Sequence, residues 1–207
     1  MSLTLIIVVI TCIISYTSFQ DRSRFVSLMH APYQEKRSNQ YYRMLTSGFL
    51  HGGMEHLIIN MFVLFMFGEL IESYFLTIFG ELMGRINFLL LYLLGIIFAN
   101  IPTFILNKDN ASFSSVGASG AVSALVFVFI LFHPWEMLYL FLFIPCPAII
   151  AGVLYLVYSS YAAKKGTDKI DHVAHFGGAV FGFLFTIILK PELFSRFLDS
   201  LVNNAPF

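Results

Sequence analysis

Long uncharged stretches, separated by short polar ones, dominate the pattern of hydrophobic and polar positions along this chain. A helix needs roughly 20 residues to cross a hydrocarbon core of about 30 Å, and six stretches approach that length. The predicted helices cover about Leu3–Phe19, Met54–Glu72, Ile86–Leu106, Val116–Phe132, Ala148–Tyr161 and His172–Leu189. The pattern therefore predicts an all-α membrane protein, a six-transmembrane-helix bundle that forms a single domain over residues 1–207.

The polar stretches between these helices predict segments at the membrane surface. Gln20–Leu50 mixes charged residues with apolar and aromatic ones, which is typical of a loop in the membrane interface. Pro145 and Pro147 make one straight helix through the following apolar stretch unfavourable, so Met137–Ile144 is expected at or near the interface. Lys164–Asp171 is predicted to be a short polar loop before the last helix.

The first apolar stretch is expected to be a retained helix rather than a signal peptide. No Lys or Arg precedes it, and no small-residue cleavage site follows it. The expected environment of the whole chain is a lipid bilayer, and a bacterial inner membrane is the predicted location.

Composition agrees with a membrane protein and excludes several other classes. Hydrophobic residues make up 58% of the chain and charged residues only 12%, whereas an ordinary soluble domain is about a quarter charged. The 24 Phe and 10 Tyr are too much apolar mass for intrinsic disorder. The 12 Lys and Arg are balanced by 12 Asp and Glu, so no basic field favours nucleic acid as a partner. Cys12 and Cys146 lie in apolar stretches and are expected to be small buried side chains.

Polar residues within the predicted helices gather at one side of the bundle. Helices two, four and six of a six-helix bundle enter the membrane from the same side. Their first turns carry His56 and Asn60, Ser119, and His172 and His175, respectively. At about 1.5 Å per residue, all of these lie within roughly 10 Å of the same helix ends. Because polar residues are costly in a membrane, this one-sided cluster indicates a functional site.

The residue types in the cluster suit acyl transfer. A serine hydroxyl is a weak nucleophile until a neighbouring base accepts its proton, and histidine is the usual base. Gly178 and Gly182 are spaced to let helix six pack closely on another membrane helix. If that partner is helix four, His175 reaches Ser119.

Candidate donors for the negative charge of such a reaction lie near the serine. His56 and Asn60 share one face of helix two because they are four residues apart. The start of helix four presents free N–H groups, and the small residues around Ser119 let a ligand approach them. No acidic side chain is expected at the same depth. The sequence therefore predicts a Ser–His dyad, with the Ser119 amide, His56 and Asn60 as donors to the oxyanion.

Three other interpretations of the cluster stay open. His172 and His175, with His56 as a third ligand, form a candidate metal site, although the His-Glu-x-x-His motif is absent. The small residues are also compatible with helix packing alone. A transporter or channel pathway would need polar residues through the full membrane depth, whereas these stop about halfway.

Three further polar residues are expected to have structural roles. His51 stands at the start of helix two, where it is expected to help hold the preceding loop. Glu69 and Glu72 are expected at the opposite end of that helix, too far from the cluster to join it, with an interfacial role.

Four short motifs follow one another along the chain. They are Tyr42-Arg43, His51-Gly-Gly-Met-Glu-His56-Leu-Ile-Ile-Asn60, Gly117-Ala-Ser119-Gly120, and His172-Val-Ala-His175-Phe-Gly-Gly178 with Gly182. In this order and spacing, they resemble the rhomboid intramembrane serine proteases of the minimal six-helix type. The resemblance covers about Tyr41–Gly182.

The resemblance implies a rhomboid-like bundle in which Ser119 and His175 form the catalytic dyad, and His56 and Asn60 complete the oxyanion hole. It also implies an intramembrane serine endopeptidase that cuts transmembrane segments of membrane proteins, without metal, ATP or other cofactor. Arg43 would have a structural role in the first loop. The alternative is a catalytically inactive rhomboid-like protein that binds membrane helices.

Two positions depart from the family pattern. Tyr42 stands where many relatives have Trp, which should preserve an aromatic residue at the interface. Ser123 stands where some relatives have a Tyr that stacks on the catalytic His. The sequence therefore leaves the orientation of His175 open.

The distribution of basic residues conflicts with the orientation that the resemblance implies. Most Lys and Arg residues lie in loops on the side of the polar cluster: Arg22, Arg24, Lys36, Arg37, Arg43, Lys108, Lys164, Lys165 and Lys169. The positive-inside rule places such loops in the cytoplasm, whereas the resemblance implies a site on the exoplasmic face. We favour the family orientation because acidic neighbours and an interfacial first loop blur the charge count.

Overall fold

The computed structural model describes residues 1–140, 143–165 and 170–205, most of which are helical. The helices, in chain order, are α1 (Leu3–Gln20), α2 (Arg22–Leu28), α3 (Pro32–Ser38), α4 (Arg43–Thr46), α5 (Met54–Phe79), α6 (Glu81–Asn107), α7 (Ser119–Phe132), α8 (Ala148–Lys165), α9 (His172–Leu189) and α10 (Glu192–Asn203). A 3-10 turn at Ser47–Phe49 follows α4, and the strands β1 (Met137–Leu140) and β2 (Ile144–Pro147) lie between α7 and α8. The six predicted helices correspond to α1, α5, α6, α7, α8 and α9.

Four helices in the described part of the chain are long and apolar enough to cross a membrane: α1, α5, α6 and α9. They make the protein an integral, multi-pass membrane protein. The sequence predicts six such helices, and α7 and α8 account for the difference. α7 is apolar but has only 14 residues, about 21 Å of helix. α8 has 18 residues, but three tyrosines, two serines and a terminal pair of lysines lower its hydropathy.

α7 occupies the centre of the bundle. It packs against α5, α6, α8, α9 and α10, and most of its residues are buried. Its side chains therefore form much of the core, together with Leu64, Phe75, Phe88 and Tyr92 from α5 and α6. This central position places the first turn of α7 between α5 and α9, which carry the other predicted site residues.

The second and third predicted helices are longer than expected, and charged residues near their adjoining ends lie close together. α5 continues beyond Glu72 to Phe79, and α6 begins at Glu81, several residues before its predicted start. Gly80 alone joins the two helices, with a φ of 77° that glycine adopts more readily than other residues. Arg85 lies 3.5 Å from both Glu72 and Glu81. Glu72 is buried inside the bundle, where it has a structural role as expected.

The long polar segment Gln20–Leu50 is folded into α2, α3, α4 and the 3-10 turn. Arg43 holds these short helices together from a buried position. Its guanidinium donates to the carbonyl oxygens of Val26 at 2.6 Å and Met29 at 3.3 Å, and to the Gln40 side chain at 2.8 Å. Because one rigid group joins the end of α2 to α4, Arg43 has the structural role expected for it.

Two elements beyond the ends of α7 and α9 are not predicted by the sequence pattern. β1 and β2 form an antiparallel hairpin in the segment expected near the interface, of which residues 141–142 lie outside the described residues. α10 is amphipathic and packs Leu193 and Phe197 onto the bundle. Residues 166–169 of the predicted loop Lys164–Asp171 also lie outside the described residues.

Candidate active site

Close packing of α7 on α9 positions the two central residues of the site, Ser119 and His175. A methyl group at Gly178 would lie 2.0 Å from the carbonyl oxygen of Gly120, and one at Gly182 would lie 2.4 Å from another backbone oxygen of α7. Only glycine allows the two backbones to come this close. The glycine motif therefore packs on helix four, which is the condition under which His175 is expected to reach Ser119.

Ser119 Oγ and His175 Nε2 lie 2.6 Å apart, at hydrogen-bond distance. Ser119 is the first residue of α7, and His175 lies one turn into α9. The structure thus brings together the hydroxyl and the imidazole that the sequence places on separate helices. A hydroxyl and an imidazole at this distance can act as a nucleophile and its base.

The backbone before Ser119 is held by the first loop. His30 and Ser115 exchange two backbone hydrogen bonds, of 3.1 and 3.0 Å. The Gly117 N–H donates to the Ser47 carbonyl oxygen at 3.0 Å, and Gly117 has a φ of 134°, which favours glycine. These contacts fix the path of the chain into α7, whose first N–H groups favour a nearby negative charge.

His51 supports the same backbone from within the bundle. Its ring is fully buried, with Nδ1 2.9 Å from Ser15 Oγ and Nε2 accepting from the Ala118 N–H at 3.5 Å. Burial and the proximity of His56 lower the pKa of His51 to about 3, so its ring is neutral near pH 7. His51 therefore has a structural role, as expected, but its contacts join α1 to the residue before Ser119 rather than hold the preceding loop.

His56 and Asn60, the candidate oxyanion donors, lie on the α5 wall of the cavity that contains Ser119. The His56 ring packs on Gly117, where an added methyl group would lie 2.8 Å from the ring. His56 Nδ1 accepts from the Gly52 N–H at 3.4 Å, so a neutral ring carries its proton on Nε2. The Asn60 amide donates to the His56 carbonyl oxygen at 2.9 Å, which directs this side chain along α5.

Tyr155 of α8 is a site residue that the sequence does not indicate. Its ring stacks on His175, with centroids 6.2 Å apart and planes differing by 17°. Its hydroxyl lies 2.6 Å from Ser123 Oγ. Nothing in the local sequence distinguishes Tyr155 from Tyr158 and Tyr161, because packing decides which face of α8 meets α9.

Asp171 is a second residue that sequence reasoning missed. Its Oδ1 accepts from the Ala174 N–H at 2.9 Å and from Thr103 Oγ1 at 2.8 Å, which fastens the start of α9 to α6. An aspartate directly before a helix is a common N-cap, so the signal is present in the sequence. Asp171 also lines the cavity. A carboxylate therefore lies near the dyad, which was not expected, and its contacts are those of a helix cap.

His172 packs edge-to-face on His175, with ring centroids 5.9 Å apart. In the part of the chain that the structure describes, no group of three or more His, Cys, Asp or Glu side chains is placed to hold a metal ion. The interpretation of His172, His175 and His56 as metal ligands therefore has no geometric support there.

A cavity of about 1060 Å³ lies between α5, α7 and α8, and Ser119 and His175 open into one end of it. The rest of its wall is largely apolar and extends to the hairpin: it includes Val63, Val126, Phe127, Ile130, Leu138 and Leu140. Because the polar groups are confined to one end, this cavity differs from the continuous polar path that a transporter or channel requires.

Comparisons with known proteins agree with these features. The chain is similar to "RHOMBOID-like protein 12, mitochondrial" of Arabidopsis thaliana, at 31% identity over 152 residues, 69% of this chain and 45% of that protein. It is 30% identical to "Rhomboid-like protein 11, chloroplastic" of Arabidopsis thaliana over 162 residues, 72% of this chain and 53% of the relative. It is also 30% identical to "Presenilin-associated rhomboid-like protein A, mitochondrial" of Danio rerio over 173 residues, 79% and 43% of the two chains.

The chain spans about half the length of these relatives. Residues 38–192 match the Rhomboid family, described as a Rhomboid domain. The matched range contains the whole Tyr41–Gly182 segment in which the sequence motifs occur. Since the domain covers most of the chain, this protein belongs to the rhomboid family.

Proposed function

We propose that the chain is an intramembrane serine endopeptidase, with Ser119 as the nucleophile and His175 as the general base. The observation that carries the proposal is the 2.6 Å distance between Ser119 Oγ and His175 Nε2. A serine becomes an effective nucleophile when a base at this distance accepts its proton. Membership of a family that includes intramembrane serine proteases supports the same activity.

The proposed reaction has two halves. Ser119 Oγ attacks the carbonyl carbon of the scissile peptide bond while its proton moves to His175 Nε2. His175 then gives this proton to the leaving amine, and an acyl-enzyme remains on Ser119. In the second half, water attacks the ester while His175 accepts its proton. The bond between the acyl carbon and Ser119 Oγ then breaks as His175 returns the proton to Oγ, and the carboxyl product leaves. No metal, ATP or other cofactor enters this route.

The oxyanion of each tetrahedral intermediate requires hydrogen-bond donors. The Ser119 N–H at the start of α7 is one candidate, since a helix N-terminus favours negative charge. His56 is the second, because its Nε2 carries the proton and its ring packs on Gly117 beside the nucleophile. Asn60 would need to turn from the His56 carbonyl oxygen, to which it donates in this structure, toward the substrate.

We propose transmembrane segments of other membrane proteins as the substrates. The shape and lining of the cavity support this class, because one polar end adjoins a long apolar wall between α5, α7 and α8. A membrane helix hides its backbone in internal hydrogen bonds, so the segment has to unwind before Ser119 reaches a peptide bond. Helix-breaking or small residues near the cut should therefore favour cleavage.

The membrane arrangement completes the proposal. α7 and α8 would join α1, α5, α6 and α9 as six spans of one domain over residues 1–207, with Gln20–Leu50 in the interface. The names of the three relatives above refer to mitochondria or chloroplasts, so they give no support to the predicted bacterial inner membrane. We place the site on the exoplasmic face. Labelling Lys108→Cys and Lys190→Cys proteins from one side of intact cells tests this orientation.

Serine-specific labelling tests the activity itself. Purified protein in detergent is treated with a fluorophosphonate, and cleavage of a transmembrane substrate is measured in parallel. We expect labelling and cleavage of the wild type, and neither with Ser119→Ala or His175→Ala. Ser112→Ala is the matched control, because Ser112 is an exposed serine in the loop before α7.

The outcomes separate the enzyme from the helix-binding alternative. Cleavage that persists in Ser119→Ala would exclude this nucleophile. A folded wild-type protein that neither labels nor cleaves under any condition would favour a catalytically inactive rhomboid-like protein that binds membrane helices.

A further inference from the structure

We infer that Tyr155 is a positioning residue that holds the His175 ring in the orientation required by the dyad. The inference rests on the proposed function, because it concerns the same pair of residues. Tyr155 belongs to α8, whereas Ser119 and His175 belong to α7 and α9. The reactive arrangement is therefore assembled from three helices.

The geometry of the two rings restrains His175. The Tyr155 and His175 centroids are 6.2 Å apart, and their planes differ by only 17°. Nearly parallel rings at this separation attract each other, and rotation of the imidazole about its Cβ–Cγ bond would break the arrangement. His172 meets the same imidazole edge-on. Two aromatic neighbours therefore select the ring orientation in which Nε2 faces Ser119.

The hydroxyl of Tyr155 fixes the position of its own ring. Ser123 Oγ donates to the Ser119 carbonyl oxygen at 2.8 Å. Because a serine hydroxyl has a single proton, Tyr155 is the donor in its 2.6 Å contact with Ser123. The hydrogen bonds thus run from Tyr155 through Ser123 to the residue that carries the nucleophile. Because Tyr155 also stacks on His175, it contacts the base directly and the nucleophile through Ser123.

Ser123 explains how a side chain from α8 can reach the base. It lies one turn after Ser119, on the face of α7 that lines the cavity. Its small side chain leaves room for the Tyr155 ring and supplies the acceptor that the phenol needs. The pair therefore resolves the orientation of His175, which the sequence leaves open.

A purely structural role for Tyr155 makes a different prediction. Its ring also lies 6.1 Å from that of Phe127, so it contributes to the packing of α8 on α7. Packing alone predicts that a substitution changes stability and the amount of folded protein. A positioning role predicts a change in the rate of the folded enzyme and in the pH profile of that rate.

Four variants distinguish these roles. Tyr155→Phe keeps the ring and removes the hydroxyl, Tyr155→Leu removes both, and Ser123→Ala removes the acceptor. Tyr161→Leu is the matched control, because Tyr161 lies on the same helix but is 59% exposed. For each protein, the rate of fluorophosphonate labelling of Ser119 is measured between pH 5 and 9, together with thermal unfolding.

We expect Tyr155→Leu to label roughly tenfold more slowly than the wild type, with an altered pH profile, because the imidazole is no longer held toward Oγ. Tyr155→Phe should restore most of the rate, with a loss of about threefold or less, and Ser123→Ala should behave like it. Tyr161→Leu should match the wild type.

Equal rates and pH profiles for Tyr155→Leu and the wild type would overturn the inference. So would a slower Tyr155→Leu whose deficit is fully explained by unfolded protein.

Failure of the proposed function has a different signature, since the wild type itself would then not label. The inference is still decided in that case by nitrogen-15 NMR of the His175 ring. One set of sharp ring signals in the wild type and Tyr161→Leu, with broadened or multiple signals in Tyr155→Leu, supports it. Unchanged signals in Tyr155→Leu overturn it.

Discussion

Glu72 caps the first turn of α1 through Thr4: its Oε2 accepts from the Thr4 backbone N–H at 2.9 Å and from the Thr4 hydroxyl at 2.8 Å. The other carboxylate oxygen accepts from the Leu3 N–H at 2.9 Å. The first N–H groups of a helix have no partner within the helix and favour negative charge. A buried acid from α5 therefore fastens the N-terminal helix to the bundle.

Glu72→Ala is expected to destabilise the protein by about 2 kcal/mol or more, because buried donors lose their acceptor. Glu72→Gln keeps an acceptor oxygen and should have a smaller effect. Thermal unfolding in detergent measures the difference, and Glu81→Ala is the control because the Glu81 side chain is 82% exposed. Equal unfolding temperatures for Glu72→Ala and Glu81→Ala would show that the cap contributes little.

Gly178→Ala is expected to separate α7 from α9, since its methyl group would lie 2.0 Å from the Gly120 carbonyl oxygen. We expect destabilisation of about 3 kcal/mol and loss of fluorophosphonate labelling, because the backbones cannot yield without moving His175 from Ser119. Gly177→Ala should be milder, since its nearest contact would be 3.3 Å. The prediction is contradicted if Gly178→Ala labels as fast as the wild type.

His56→Ala is expected to slow the chemical step more than it weakens substrate binding. Loss of one oxyanion donor typically lowers kcat about 10²- to 10³-fold, and KM should change little. Steady-state cleavage of a transmembrane substrate measures both constants. Ile58→Ala, which alters an exposed side chain of α5, is the control. A change confined to KM would assign His56 to substrate binding instead.

Stability is expected to fall on acidification because of His51. The pKa of its buried ring is lowered to about 3 from an ordinary value of 6.5. Between these two values the unfolded chain binds a proton that the folded chain does not, so the free energy of unfolding decreases as the pH falls from 6.5 toward 3. His51→Gln should reduce this dependence by up to about one proton per molecule. Unfolding curves at several pH values test it, and parallel pH dependences for both proteins would contradict the assignment.

The parts of the fold that the sequence predicts well depend on local pattern. The apolar stretches place the six main helices, and the Gly178–Gly182 spacing indicates that α9 packs closely on another helix. The structure shows that this helix is α7, which brings Ser119 to His175. A polar residue inside a membrane helix is a strong indication of a functional site, because such residues are rare there.

The parts that the sequence misses depend on tertiary contacts. Glu81 and Arg85 look like loop residues in the sequence, whereas the structure places both in the first turns of α6. Tyr155 is one of several tyrosines in α8, and only the packing of three helices selects it. α10 is a different case: Leu193, Phe197 and Leu201 recur every four residues, so its amphipathic pattern is present in the sequence.

The pairing of His30 with Ser115 uses only main-chain atoms on both sides. Most replacements of the Ser115 side chain would leave these two hydrogen bonds intact. The residue at position 115 can therefore vary during evolution without loosening the segment that leads to Ser119. Proline is the exception, because it has no N–H to offer His30. The first loop is thus attached to the backbone before Ser119 by hydrogen bonds that do not depend on side-chain identity. A change that moves the whole loop is expected to move Ser119 as well.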